Sequence, residues 1–141
     1  MKIGVDLDGT VSRTSFYNPG LKLPWFLFLF LIPLILAKPN KKIIEELKKI
    51  EADGNEIIII SARPKQATNL TKGWLKRNEV PFKQLFCVGF GKETRQRKLN
   101  TIREQGIAAF IDDDERTLRF LEGNDVDVFS VNSVKRQFLN G

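Results

Sequence analysis

The apolar and polar positions divide the chain into short blocks of two kinds. Strand-type runs occur at Lys2 to Val5, Glu56 to Ser61, Leu85 to Val88, Ile107 to Ile111 and Val126 to Val131. In the second of these, Ile57 to Ile60 are four consecutive β-branched residues, the mark of a strand buried on both faces. Helical periodicity fills the gaps. From Asn40, a plausible N-cap, Ile43, Ile44, Leu47 and Ile50 share one face, and Gly54 stands just past the end. A second helix is predicted from about Gln66 to Asn78, with Ala67, Leu70, Trp74 and Leu75 as its inward stripe. A third runs near Lys92 to Gln105 and ends at Gly106, and a short one covers Glu115 to Leu121. A helical turn closes the chain. Strands alternating with helices predict a Rossmann-like α/β sandwich of three layers around a mainly parallel five-stranded sheet.

One block fits neither pattern. Residues 11–23 are turn-rich, with Asn18-Pro19-Gly20 as the strongest breaker, and Pro24 to Ala37 then run fourteen residues without a charge. That is short of the roughly 20 apolar residues a membrane-spanning helix needs. The run lacks an amphipathic period, contains Pro33 and is flanked by Lys22 and Lys38. Its aromatics Trp25, Phe26, Phe28 and Phe30 would form a large apolar patch if they faced water. Three uses are open: shallow attachment of Trp25 to Ala37 to an anionic membrane surface, a cover over the functional site, or a homo-oligomer interface. The expectation is one domain over residues 1–141, interrupted by a cap-type apolar insertion at 18–38.

Composition narrows the chemistry. The 141 residues include 23 basic and 17 acidic ones, and the net charge of +6 suits anionic partners. There is no histidine, so a general acid or base must be a carboxylate, Lys, Tyr or water. The single cysteine, Cys87, excludes an internal disulfide and a cysteine metal cluster, and its apolar neighbours read as core. With the first strand starting at once and no leader before it, the expected location is the cytoplasm, either free or peripheral or monotopic on the cytoplasmic face of the membrane.

The first strand stops at Asp6-Leu7-Asp8-Gly9-Thr10-Val11. Two carboxylates so close are costly unless a cation or proton lies between them. Three further signals fall at strand ends: Ser61-Ala62-Arg63-Pro64, a lysine in the third helix, and Asp112-Asp113-Asp114. In this order they resemble the four motifs of the haloacid dehalogenase-like phosphatases. Ser61-Ala62-Arg63-Pro64 with Thr71 and Trp74-Leu75 is similar to the 5′(3′)-deoxyribonucleotidase branch.

The resemblance implies Asp6 as nucleophile and Asp8 as general acid/base. It implies Ser61, Ala62 and a lysine against the substrate phosphate. Lys92 is the expected lysine, because it opens the third helix, while Lys98, further in, is expected to meet solvent. Mg²⁺ would be held by the Asp6 and Asp113 carboxylates and the Asp8 carbonyl, with Asp112 outside them and Asp114 capping the fourth helix. Thr10 would hold the loop and orient Asp8, and Arg63 would stand behind the residues that touch the substrate. The implied function is Mg²⁺-dependent phosphomonoester hydrolysis through an aspartyl-phosphate, at a membrane surface or as a nucleotidase on soluble nucleotides. The alternative is a non-catalytic, membrane-attached phosphate-binding protein. Expected partners are a phosphorylated small molecule, a nucleotide or a lipid-linked phosphate; nucleic acid is not favoured.

Overall fold

The computed structural model describes residues 1–13 and 37–134. Five strands, β1 (Lys2–Val5), β2 (Glu56–Ser61), β3 (Gln84–Cys87), β4 (Ala109–Asp112) and β5 (Asp127–Ser130), form one sheet in the order β3-β2-β1-β4-β5. Every pairing is parallel. The helices are α1 (Lys41–Ala52), α2 (Thr68–Arg77), α3 (Thr94–Gln105) and α4 (Glu115–Glu122), with a single 3₁₀ turn, Lys65–Ala67, leading into α2. The predicted α/β class and three-layer plan are those of the molecule, and the sheet is wholly rather than mainly parallel.

Side-chain parity builds the two faces. Ile57 and Ile59 pack with Ile3, Val5 and Ile111 against α1 and α2, through Ile43, Leu47 and Trp74. Ile58 and Ile60 pack with Phe110 on the other face, against Leu99 and Ile102 of α3 and Leu121 of α4. Gly54 (φ +92°) and Gly106 (φ +64°) follow α1 and α3 in the left-handed conformation, which glycine adopts without penalty. Cys87 is buried, and burial raises its pKa above that of a free thiol.

Gly4 allows a close approach inside the sheet. A Cβ there would lie 2.6 Å from Cδ2 of Phe110 and 3.2 Å from Cγ2 of Ile107. The aromatic ring occupies the space a side chain would need. Gly4→Ala is therefore expected to destabilise the fold by about 1–3 kcal/mol, the usual cost of overpacking, as read by thermal or urea unfolding.

Several boundaries differ from the sequence pattern. Strand β5 ends at Ser130, and Val131 begins the closing helical turn, where it still packs into the core. Leu70, expected to face inward, is exposed; the buried residues of α2 are Thr71, Trp74 and Leu75. The inward face is rotated because Thr71 lies beneath Arg63, and Leu70 falls at its edge. Among the described residues, no helix is long and apolar enough to cross a membrane. Residues 14–36, and with them nearly all of the apolar run, lie outside the described part. Its last residue, Ala37, is buried and accepts a hydrogen bond from Trp74 Nε1 at 2.9 Å.

Candidate active site

The register of the sheet brings the acidic motifs together. Val5 pairs with Ile59 on one side and Ile111 on the other, so Asp6 follows β1 beside Asp112 at the end of β4. The Asp6 N–H extends the ladder by donating to the Ile111 carbonyl at 2.9 Å. The sheet order reverses between β1 and β4, since β1 leads to β2 on one side and β4 to β5 on the other. In an open parallel sheet, that reversal leaves a crevice beyond the carboxyl ends of the strands.

Parity then selects the cation. Asp6 lies two residues beyond Gly4, and Asp112 two beyond Phe110, so both carboxylates point to the face covered by α3. Lys98 of α3 reaches them. Its Nζ donates to Asp6 Oδ1 at 2.8 Å and Asp112 Oδ2 at 3.3 Å, and lies 5.7 Å from the centroid of the Phe110 ring. Lys98 is only 5% exposed. This reverses the expected placement of the two lysines. Helix α3 begins at Thr94, which leaves Lys92 before it, exposed and outside the cluster. Lys98 is one turn in, and helical side chains lean toward the N-terminus, here the carboxyl edge of the sheet.

Two carboxylates share one ammonium, so Asp6, Asp112 and Lys98 together hold a surplus negative charge. Burial, then the neighbouring Asp112, push the Asp6 pKa well above that of an ordinary aspartate, and Lys98 only partly offsets them. Burial opposes the charge on Lys98 as well, but the two carboxylates outweigh it and keep the amine protonated. Asp113 is pushed up to about 6 by partial burial and by its contact with Asp112. One carboxylate oxygen from each of Asp6, Asp112 and Asp113 lies within 4.8 Å of the others. Crowded, oxygen-only and short of positive charge, this donor set fits a hard divalent cation such as Mg²⁺.

Gly9 makes the crowding possible. Its φ is +86°, and a Cβ there would collide with the Asp113 carboxylate. Thr10 is buried, and its hydroxyl is near Asp113 Oδ1 (3.3 Å) and Asp6 Oδ2 (3.4 Å). It therefore ties together the two carboxylates expected to hold metal, and the hydroxyl that reaches Asp8 is that of Ser12. Both Asp112 oxygens accept hydrogen bonds: Oδ2 from Lys98 Nζ, and Oδ1 from the Asp114 N–H at 3.0 Å. Asp114 caps α4 as expected, accepting from the Arg116 N–H at 3.3 Å and the Thr117 hydroxyl at 2.7 Å.

Asp8 turns toward the opposite face. Arg63, buried, grips it with two bonds, Nε to Oδ2 at 2.9 Å and Nη2 to Oδ1 at 2.7 Å. Ser12 adds a hydroxyl contact to Oδ1 at 3.3 Å, and Thr71 accepts from Arg63 Nη1 at 3.2 Å. The guanidinium thus holds Asp8 directly. Ser12 was missed in the sequence, although its spacing of four from Asp8 matches that of Thr10 from Asp6. Ser61, buried at the end of β2, accepts from the Arg63 N–H at 3.1 Å and so fixes the turn through half-buried Ala62.

The same loop anchors the apolar insertion. The Arg13 N–H donates to the Lys38 carbonyl at 2.8 Å, and the Asn40 N–H to the Val11 carbonyl at 2.7 Å. Ser12 bridges to Asp8 on one side and Pro39 on the other.

No family model matches the chain. A protein of Bacillus cereus named "Putative nucleotidase" is 31% identical over 105 residues, which is 74% of this chain and 54% of that protein. The chain thus spans about half the length of that curated relative. Among solved structures, D,D-heptose 1,7-bisphosphate phosphatase from B. bronchiseptica, determined with magnesium and phosphate, superposes with a TM-score of 0.61 at 10% identity, covering 99% of this chain and 98% of that one. A structure of the Pnkp1/Rnl/Hen1 RNA repair complex gives 0.71 at 17% identity, over 92% of this chain and 42% of the matched one. The HAD domain of the effector Lem4 from Legionella pneumophila gives 0.55 at 13%, over 92% and 83%. At these identities the three likenesses are of fold.

Proposed function

We infer that this chain, a member of the haloacid dehalogenase-like superfamily, hydrolyses phosphomonoesters by passing the phosphoryl group through Asp6. The observation that carries the reading is Lys98 bridging Asp6 and Asp112 at 2.8 and 3.3 Å beside Asp113, at the crevice between β1 and β4.

The residues divide the work by position. Asp6 attacks phosphorus, and the bond from phosphorus to the leaving oxygen breaks. Asp8 supplies the proton that oxygen needs. Water then attacks the phosphoryl group on Asp6, and Asp8 takes its proton as inorganic phosphate departs. Lys98 keeps a positive charge against the nucleophile and the incoming phosphate. Ser61 and the backbone at Ala62 face the phosphate oxygens from the end of β2. Mg²⁺ would be held by Asp6, Asp113 and the Asp8 carbonyl, with Asp112 behind them; when bound it offsets phosphate charge and orients the ester. The Bacillus cereus relative favours nucleotides within this class.

Hydrolysis of a phosphomonoester panel tests the reading. Activity is expected with Mg²⁺, to vanish in EDTA and to return when Mg²⁺ is restored. Without substrate, Mg²⁺ is expected to raise the Tm, because it relieves the surplus negative charge of the cluster. Hydrolysis that persists in EDTA would remove the metal from the mechanism.

Arg63 gives a sharper test of Asp8. Arg63→Lys keeps the charge and loses the two-pronged grip. Misplacing an acid by about 1 Å can cost roughly a hundredfold. The loss is expected for alkyl phosphates. It should be several-fold smaller for p-nitrophenyl phosphate, whose leaving group departs without a proton. Equal losses on both substrates would give Arg63 a merely structural part.

A further inference from the structure

We propose that Phe90 is a specificity-determining residue that stacks on the leaving group, selecting phosphomonoesters that carry a flat aromatic ring, with nucleoside monophosphates as the biological class. The proposal rests on the phosphatase reading and deepens it.

Hydrogen bonds from two α3 side chains fasten the loop from β3 to α3 on either side of Phe90. Gly89 (φ +91°) and Gly91 (φ +129°) flank it, both in conformations that side chains rarely adopt. Arg97 Nη1 donates to the Phe90 carbonyl at 3.3 Å, and the Thr94 hydroxyl to the Gly89 carbonyl at 2.9 Å. Phe90 itself is 46% exposed. The large hydrophobic side chains exposed among the described residues are Met1, Leu70 and Phe90, and Phe90 alone of these is aromatic.

Its location gives the ring a use. The Gly89 N–H donates to the Arg63 carbonyl at 3.1 Å, and the Val88 N–H to the Ser61 carbonyl at 2.8 Å. The loop is thereby joined to the turn whose guanidinium grips Asp8. Since Asp8 gives its proton to the leaving oxygen, the leaving group departs on the Asp8 side of the crevice. Phe90 is the next residue after the one bonded to that turn. An aromatic ring on this loop would offer a face to a nucleobase, and the hydrogen bonds that hold its backbone lower the entropic cost of stacking.

The test measures kcat/KM for thymidine 5′-monophosphate and for glycerol 3-phosphate with Mg²⁺, in wild type, Phe90→Ala and Phe90→Trp. Phe90→Ala is expected to lower the ratio of the two by about ten- to a hundredfold, the range of base–aromatic stacking, mainly through KM. Phe90→Trp should restore it. An unchanged ratio in Phe90→Ala overturns the proposal, even if both activities fall. If wild type hydrolyses neither ester, the phosphatase reading fails separately. Equilibrium dialysis of thymidine 5′-monophosphate then decides the role of Phe90: a tenfold weaker Kd in Phe90→Ala supports it, and an equal Kd overturns it.

Discussion

Asp6→Asn is expected to lower phosphomonoester hydrolysis by at least about ten-thousandfold, in line with the loss of a covalent nucleophile in other enzymes. The substitution is nearly isosteric, so a folding defect is not the expected cause. Its effect on stability should run the other way. Burial and Asp112 raise the folded-state pKa of Asp6 above its unfolded value. The folded protein therefore binds this proton more tightly, and the associated stability is present below the ordinary aspartate pKa and lost as pH rises through the raised one. Near neutral pH the ionised carboxylate is a burden on the metal-free fold. Asparagine resembles the protonated form, so metal-free Asp6→Asn should melt no lower than wild type at pH 7. An active Asp6→Asn protein would end the proposed mechanism, and a lower Tm would mean that the Lys98 contact outweighs the burden.

Lys98→Ala is expected to reduce kcat/KM by about a thousandfold, comparable to removing one preorganised donor from a transition-state site. It leaves Asp6 and Asp112 adjacent and buried with no cation between them. Breaking a buried charge pair in this way costs about 3–5 kcal/mol. Metal-free Lys98→Ala should therefore melt well below wild type, with Mg²⁺ recovering part of the loss. Lys92→Ala should stay within about threefold of wild type in kcat/KM, since Lys92 is exposed and outside the cluster. A large defect in Lys92→Ala with a small one in Lys98→Ala would move the role back to Lys92.

The exchange of these lysines shows where one-dimensional reading lost track. The strand ends were legible because each apolar run stops at a polar residue: Val5 before Asp6, Ile60 before Ser61, Ile111 before Asp112. The faces of the acids were not: Asp6 and Asp112 share one because Gly4 pairs with Phe110 across the sheet, while Asp8 turns away to Arg63 instead of staying on the side of Asp6. Nor was the helix start. An error of two residues in placing it made Lys98 look nearly two turns deep, although Lys98, Leu99 and Ile102 form one buried stripe of α3. The Arg63–Asp8 pair spans 55 positions and no local pattern announces it. It follows from the turn that Ser61 fixes, which throws the next side chain but one back over the sheet edge. Thr10 misled for a similar reason. Gly9 rotates the backbone between Asp8 and Thr10, so sequence neighbours face different partners.

The stitching of Arg13 to Lys38 and of Asn40 to Val11 bears on how far the chain between them can vary. The two ends of the segment that includes the apolar run are neighbours joined by hydrogen bonds, so the loop is already closed at its base. Doubling the length of a loop closed in this way adds only about 0.6 kcal/mol. The junction acts as a socket beside Asp8. A change in the length of chain between Arg13 and Lys38 is expected to leave Asp6, Lys98 and the sheet register in place, so that segment can vary independently of the cluster it adjoins.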